Sequence, residues 1–295
     1  MNILLFGRNG QVGWELQRTL APLGGVEALD QPELDLADTL SLEKTILEAR
    51  PNLIVNAAAY TAVDRAEQEQ QAAWAVNAAA PGVMAETAKR IGAGLVHFST
   101  DFVFDGNKGK PYTENDPPQP LNQYGRSKLA GEEAVKQAGE AYLILRTSWV
   151  YSLRGDNFVA KVLAWSRKHT ALRIVADQTG SPTWARMLAE TVAILLGRSG
   201  PDPVSYLKEV QGLYHLAGAG QATRFEWAQE ILRLDPGIGQ QVTRRLEPAR
   251  SDEFPAPAAR PAFSALDCSQ FTRTFGLKLP PWKETLALAL TEAKK

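Results

Sequence analysis

The chain has 295 residues, 44% hydrophobic and 22% charged, enough to bury a large core in one big domain or two. A formal charge of −1 leaves no basic field for nucleic acid or an anionic membrane, and the single cysteine, Cys268, excludes an internal disulfide and fits a reducing compartment. There is no basic-then-apolar leader before the first strand and no apolar run long enough for a bilayer, so a soluble, cytoplasmic protein is expected.

The first half alternates short apolar runs with helical periodicity, the pattern of a parallel sheet covered on both faces. Ile3 to Phe6 reads as a strand, Gln11 to Leu20 as a helix, and Val26 to Leu29 as a second strand ending at Asp30. A helix from Leu40 to Arg50 is stopped by Pro51, and Leu53 to Val55 is the third strand. A long helical stretch runs from Ala66 to Ile91, with Pro81 expected to interrupt it, and is followed by a strand from Leu95 to Phe98. Helix signals resume from Gln123 to Ala138, and Tyr142 to Arg146 is a strand. After Val150 the loops lengthen. Asn157 to Arg167 and Trp184 to Leu196 read as helices, Leu172 to Val175 and Leu213 to Leu216 as strands. Pro248 to Pro261 reads as an extended surface segment with no packed element, and Trp282 to Ala293 as a closing helix. The expected architecture is α/β: a doubly wound, Rossmann-type parallel sheet over residues 1–150, open to a strand from the second half, and a smaller C-terminal substrate-binding domain over 151–295.

Several short motifs carry chemistry. Gly7, Gly10 and Gly13 follow the first strand at the spacing that allows a tight turn and a close backbone approach to a pyrophosphate. The helix they open, through Gln11 and Val12, offers free N–H groups to phosphates. Asp30 can accept hydrogen bonds from an adenosine ribose, which favours NADH, whereas Arg8 can clamp a 2′-phosphate, which favours NADPH; use of both cofactors is expected. Asn56-Ala57-Ala58-Ala59-Tyr60 follows the third strand, where small side chains let a nucleotide lie against the backbone. Ser99-Thr100-Asp101 leaves the fourth strand at the carboxyl edge of the sheet, where ligands of such folds bind, and the Thr100 hydroxyl can hold a substrate carbonyl.

Tyr124 and Lys128 stand four residues apart and so share one helix face. The ammonium is expected to stabilise the phenolate and bring the phenol from its free pKa near ~10 toward the working range. In the second half, Arg260, in an Ala-Arg-Pro turn, is a candidate for the phosphates of a nucleotide. Trp149, leaving a strand end, supplies aromatic surface near the reacting groups. The histidines, His97, His169 and His215, are too scattered for a metal cluster, and no metal is expected.

With these residues the chain resembles the extended short-chain dehydrogenase/reductases, through GxxGxxG, the Asn-Ala-Ala-Ala segment, the Ser-Thr-Asp strand end and Tyr-x-x-x-Lys. Arg146-Thr147-Ser148-Trp149-Val150-Tyr151, Asp177-Gln178-x-Gly180-Ser181-Pro182-Thr183 and Ala259-Arg260-Pro261 extend the likeness to nearly the whole chain, toward the branch that reduces 4-keto nucleotide sugars. The resemblance implies an NADPH- or NADH-dependent reduction in which Tyr124 gives a proton to the developing alkoxide. Lys128 would lower the phenol's pKa and bind the nicotinamide ribose, and Thr100 would orient the carbonyl. Asp101 and Trp149 would contact the sugar, and the family pattern adds Asn157 and Gln178. The cofactor positions that carry over are Gly10, Gln11, Val12, Asp30, Asp35, Leu36, Ala59, Tyr60 and Thr61, beside Gly7, Arg8, Gly13 and Ala58 of the motifs. Two residues depart from the family pattern, Phe102 after Thr-Asp and Tyr60 after the alanine run.

Some members form a Mg²⁺-linked dimer through carboxylates. Glu15 matches one such position, but Arg186 stands where another acid would be, so a monomer or weak homodimer without bridging metal is expected. The partner implied is a small nucleotide sugar, not nucleic acid or a membrane. Two alternatives share the fold: a nucleotide-sugar epimerase or dehydratase that holds NAD tightly, and a non-catalytic regulatory subunit.

Overall fold

A strand with no polar face must be covered on both sides, and four such runs build the centre of the molecule. In the computed structural model, which describes residues 1–292, these are β1 (Asn2–Phe6), β3 (Leu53–Asn56), β4 (Gly94–Thr100) and β5 (Tyr142–Thr147). With β2 (Gly25–Leu29) and β7 (Gly212–His215) they form, among the described residues, one parallel sheet in the order β7-β5-β4-β3-β1-β2. The strand from the second half thus closes one edge of the sheet, as the sequence left open.

Helices cover both faces, which makes the sheet doubly wound. On one side α1 (Gln11–Leu20) and α6 (Ala185–Gly197) pack Leu16, Leu20, Leu188 and Val192 against Leu5, Val55 and Val96. On the other, α2 (Thr39–Ala49), α3 (Ala80–Ile91) and α4 (Gln123–Ala138) pack Leu42, Ile46, Met84 and Val135 against Leu4, Ile54 and Leu95. The chain leaves β1 toward β2 and then crosses to β3 on the opposite side. That switch point opens a crevice at the carboxyl ends of the strands.

The second half has its own apolar cluster. α5 (Phe158–Ser166), β6 (Ala171–Val175), α7 (Arg224–Leu234) and α8 (Trp282–Glu292) gather Val159, Val162, Leu172, Ile174, Ile231 and Leu286 around a fully buried Trp227. The sequence expectation extends α8 to Ala293, which lies outside the described residues.

Two expectations are corrected. Pro81 does not end the helical run, which continues from Gln70 to Ile91; a turn of π-helix over Ala75–Ala79 directly precedes the proline and adapts the hydrogen-bond ladder to its missing N–H. The real break falls earlier, between the short helices Val63–Ala66 and Gln70–Trp74. The proline-rich run is not wholly irregular. Pro248 lies in β8 (Arg245–Ala249), which pairs in parallel with β6 as a two-stranded ribbon. A proline is tolerated there because the ribbon leaves an edge open.

Beneath the crevice a buried ion pair ties three central elements together. Glu132 of α4 takes two hydrogen bonds from Arg146 of β5, at 2.8 and 2.6 Å, and a third from the Ser99 hydroxyl of β4 at 2.5 Å. Replacing Glu132 by Ala leaves the Arg146 guanidinium buried without its counter-charge. Urea unfolding of Glu132→Ala is expected to lose about 3–5 kcal/mol with the m-value unchanged; a loss under about 1 kcal/mol would contradict this placement.

Candidate active site

The crevice begins where β1 ends. Gly7 adopts φ +87°, and a Cβ there would stand 2.5 Å from the Ala58 nitrogen, so only glycine lets the first and third strand ends approach this closely. Gly10 is the N-cap of α1 in extended conformation, with no side chain over the helix end and no acid in the first turn. The first N–H groups of α1 therefore remain open to an anion. Gly7, Gly10, Gln11, Val12, Asp30, Ala58, Ala59 and Thr61 line one end of a cleft of about 860 Å³; Thr100, Asp101, Tyr124, Lys128 and Trp149 line the other. Two buried polar atoms facing this cleft, Gln11 Oε1 and Thr147 Oγ1, have no hydrogen-bond partner among the described residues. An open helix end, a glycine cradle and orphaned polar atoms fit a dinucleotide.

Tyr124 and Lys128 project from the first turns of α4, which is held by its N-cap. Asn122 Oδ1 accepts the Gly125 N–H at 2.8 Å, while its amide donates to the Ala259 carbonyl at 2.7 Å. Lys128 is 1% exposed. Its ammonium donates to the Phe98 carbonyl of β4 at 2.6 Å and lies 3.4 Å from His97 Nε2. The tautomer of His97 follows from its neighbours. The Ala58 N–H donates to Asn56 Oδ1, so the Asn56 amide nitrogen donates to His97 Nδ1 at 3.1 Å, and the ring proton sits on Nε2, facing the lysine. Burial, with Lys128 beside it, holds His97 neutral, well below its ordinary pKa. Burial likewise brings Lys128 down to about 8, against the attraction of Glu132.

These contacts correct one expectation. The phenol is not acidified by its neighbour: burial pushes Tyr124 up to about 12, the Thr100 hydroxyl acts to lower it, and the Asp101 carboxylate raises it. Among the described residues no hydrogen bond joins the ammonium to the phenol, because the lysine is turned to the β4 carbonyl. The tyrosine is thus a neutral donor at any physiological pH. Phe102 packs edge-on against its ring at 5.7 Å.

Asp101 is itself buried. It takes hydrogen bonds from Ser148 (2.8 Å), Ser264 (2.5 Å) and Thr100 (3.2 Å), and burial raises its pKa. Thr100 also accepts the Phe102 N–H at 3.2 Å, which fixes its rotamer beside Tyr124.

Trp149 forms the far wall in a strained backbone, with φ +44°, where a bulky residue seldom stands. Its ring stacks on Trp227 at 5.6 Å, and the Arg224 guanidinium lies over it at 3.6 Å. Arg224 is pulled down to about 9 by burial, opposed by Asp101. It lines both this cleft and a second, more apolar cavity of about 430 Å³ walled by Phe158, Trp165, Leu172, Ile174 and Phe254.

With this geometry in view, the relatives are informative. All 295 residues match the model of the RmlD substrate binding domain. The chain belongs to that family. A dTDP-4-dehydrorhamnose reductase of Burkholderia thailandensis is 43% identical, with 99% of each chain covered. Among solved structures, a dTDP-4-dehydrorhamnose reductase of Clostridium acetobutylicum superposes with a TM-score of 0.91 at 35% identity over 100% of both chains. That of Bacillus anthracis, in complex with NADP, gives 0.88 at 33% identity over 99% of both.

Not every residue singled out from the sequence reaches the cleft. Gly13 serves packing, since a Cβ there would stand 1.9 Å from the Gly7 carbonyl oxygen. Asp35 caps its own turn through the Ala37 N–H, and Leu36 is buried in the core. Tyr60 is pinned by its backbone to Asn77, and its hydroxyl donates to Glu69. Asn157 caps α5, and its amide holds the Ser152 and Arg154 carbonyls. Gln178 lines the second cavity. Arg260 is bound to Asp64 at 2.7 Å and does not line the cleft, whereas the guanidinium of Arg224 does, as does that of Arg154. Sequence reading passed over Arg224. Its signal was the capping box Thr223-x-x-Glu226, which places Arg224 at the first position of a helix.

Gly180 shows how tightly the Trp149 wall is built, because an added Cβ would lie 2.3 Å from the indole ring. Gly180→Ala is expected to displace Trp149, weakening the near-ultraviolet circular dichroism of the tryptophan stack and costing about 1–3 kcal/mol in urea unfolding. An unchanged near-ultraviolet spectrum would contradict the packing described.

Proposed function

We propose that this chain reduces the C4 keto group of dTDP-4-dehydro-L-rhamnose to dTDP-L-rhamnose, with NADPH or NADH as reductant. The observation that carries this reading is a neutral, half-buried Tyr124 in the same cleft as the open N-terminus of α1. Full-length relatives named as dTDP-4-dehydrorhamnose reductases support the substrate, and the NADP complex of the Bacillus anthracis protein supports the cofactor. In this reading residues 1–150 mainly hold the dinucleotide and 151–295 the nucleotide sugar. The enzyme works in the cytoplasm as a monomer or weak homodimer, without a nucleic-acid or membrane partner. Among the described residues no helix is long and apolar enough to cross a membrane.

The first turn of α1, with Gly7 and Gly10 giving it room, binds the pyrophosphate, and Asp30, Ala58, Ala59 and Thr61 border the nucleoside. Bound there, NADPH supplies the hydride that the carbonyl carbon takes up. Thr100 and Tyr124 hold the carbonyl oxygen between two hydroxyl groups. As negative charge grows on that oxygen, Tyr124 gives up its proton, because an alkoxide is a far stronger base than a phenolate even at a pKa of about 12. Lys128 adds a positive charge where the phenolate appears, which matters in the transition state and little before it. The two-tryptophan wall and Arg224 flank the sugar, with the second cavity beyond Arg224 for the base and Gln178 at its rim.

Tyr124→Phe removes the proton donor but not the cleft, so kcat is expected to fall about 10²–10⁴-fold while NADPH still binds. Activity within tenfold of the parent in coupled NADPH-absorbance assays would reject the assignment. The pH profile follows from Lys128. Its pKa is depressed, so the ammonium is present below about pH 8 and lost as the pH rises through that value. The reduction rate kcat/KM is therefore expected to fall on the alkaline side of pH 8 and not on the acid side; a profile flat from pH 7 to 10 would contradict it.

A further inference from the structure

The lip of the cleft where β1 and β2 end carries three charges. Asp30 is half-buried, its two oxygens accepting the Asn9 and Gln31 N–H groups at 2.9 Å each, which leaves it aimed at the lip as a fixed carboxylate. Arg8 stands beside it, but its guanidinium is already engaged. One nitrogen donates to the Ala28 carbonyl at 3.1 Å and another to Glu33 at 2.5 Å. The lip thus presents two carboxylates to one guanidinium.

NADPH differs from NADH at this lip only, by a 2′-phosphate that bears close to two negative charges. Bound here, the phosphate has to share the Arg8 guanidinium with Glu33, which holds it on its own side, and it stands near both acids. Arg8 and Glu33 are about one-third and one-half exposed, so their ion pair is weak enough for a phosphate to compete with it. Glu33 would then limit NADPH binding without abolishing it. It makes no demand on NADH, which leaves the pair intact.

We propose that Glu33 is a specificity-determining residue, which holds Arg8 away from the 2′-phosphate position and so keeps the site open to NADH beside NADPH. The inference rests on the dinucleotide reading above and assigns the balance between the two cofactors to one side chain that does not line the cleft. It separates the role of Arg8, the phosphate ligand, from that of Glu33, its competitor.

The test is fluorescence titration of the full chain with NADPH and NADH separately, without sugar, for the parent, Glu33→Gln, Arg8→Ala and the double variant. Glu33→Gln is expected to tighten NADPH about tenfold and leave NADH within about twofold, since only the 2′-phosphate meets the freed guanidinium. The double variant is expected to lose that gain. Equal responses of the two cofactors to Glu33→Gln, or weaker NADPH binding, would overturn the proposal alone. Failure of the parent to bind either dinucleotide would overturn the dinucleotide reading and this proposal with it. Glu33 is exposed and Arg8 lies outside the apolar core, so neither substitution touches the core, and an unchanged urea midpoint for Glu33→Gln confirms that binding and not folding is being read.

Discussion

Lys128 is enclosed beneath the carboxyl edge of the sheet, its ammonium resting on a backbone carbonyl at 2.6 Å. The nearest acid on its own helix, Glu132, is committed to Arg146 and Ser99. A buried cation so weakly neutralised is costly, so the Lys128 pKa falls to about 8 and a second positive charge on His97 beside it is disfavoured. His97 is neutral and fixed in one tautomer by Asn56; Tyr124 is neutral because burial disfavours its phenolate, with the Asp101 carboxylate adding a smaller push in the same direction. The result is a site whose protonation states are set by burial before any ligand arrives. A proton stays on the phenol, and a positive charge stands ready where the phenolate will form.

The same economy shapes the substrate side. Trp149 is held in a left-handed backbone by Trp227, by Arg224 and by the absence of a side chain at Gly180. Strain of this kind persists only where the surroundings over-determine it, and here it faces the reacting groups. Asn122, Asp101 and Arg260 then tie the second half to the first through Ala259, Ser264 and Asp64. The cleft is therefore a joint product of both halves of the chain, and the strand Gly212–His215 in the central sheet makes the two halves hard to separate.

Much of this was legible in the sequence. Apolar runs located the sheet strands within a residue or two, and the helix from Gln123 to Ala138 has the limits its pattern predicts. Gly7, Thr100, Tyr124 and Lys128 converge in one cleft, as short motifs at strand ends and helix starts should. What was missed depends on long-range pairing. Nothing local shows that Arg260 meets Asp64, some two hundred residues earlier, or that Arg224 reaches the cleft in its place. The acidity of Tyr124 was misjudged for a related reason. A phenol and an amine on one helix face imply attraction, but burial and the orientation of the lysine, both tertiary properties, decide the sign.

The central claim is that burial, and not a neighbouring charge, governs Tyr124 in the ligand-free protein. Carbon-13 NMR of protein labelled at tyrosine Cζ, with Tyr124 assigned by its loss in the phenylalanine variant, measures this directly. The account predicts a phenol resonance that persists from pH 6 to about 10 with no phenolate, the pKa lying near 12. A Tyr124 resonance that moves to the phenolate position between pH 7 and 8 would contradict it.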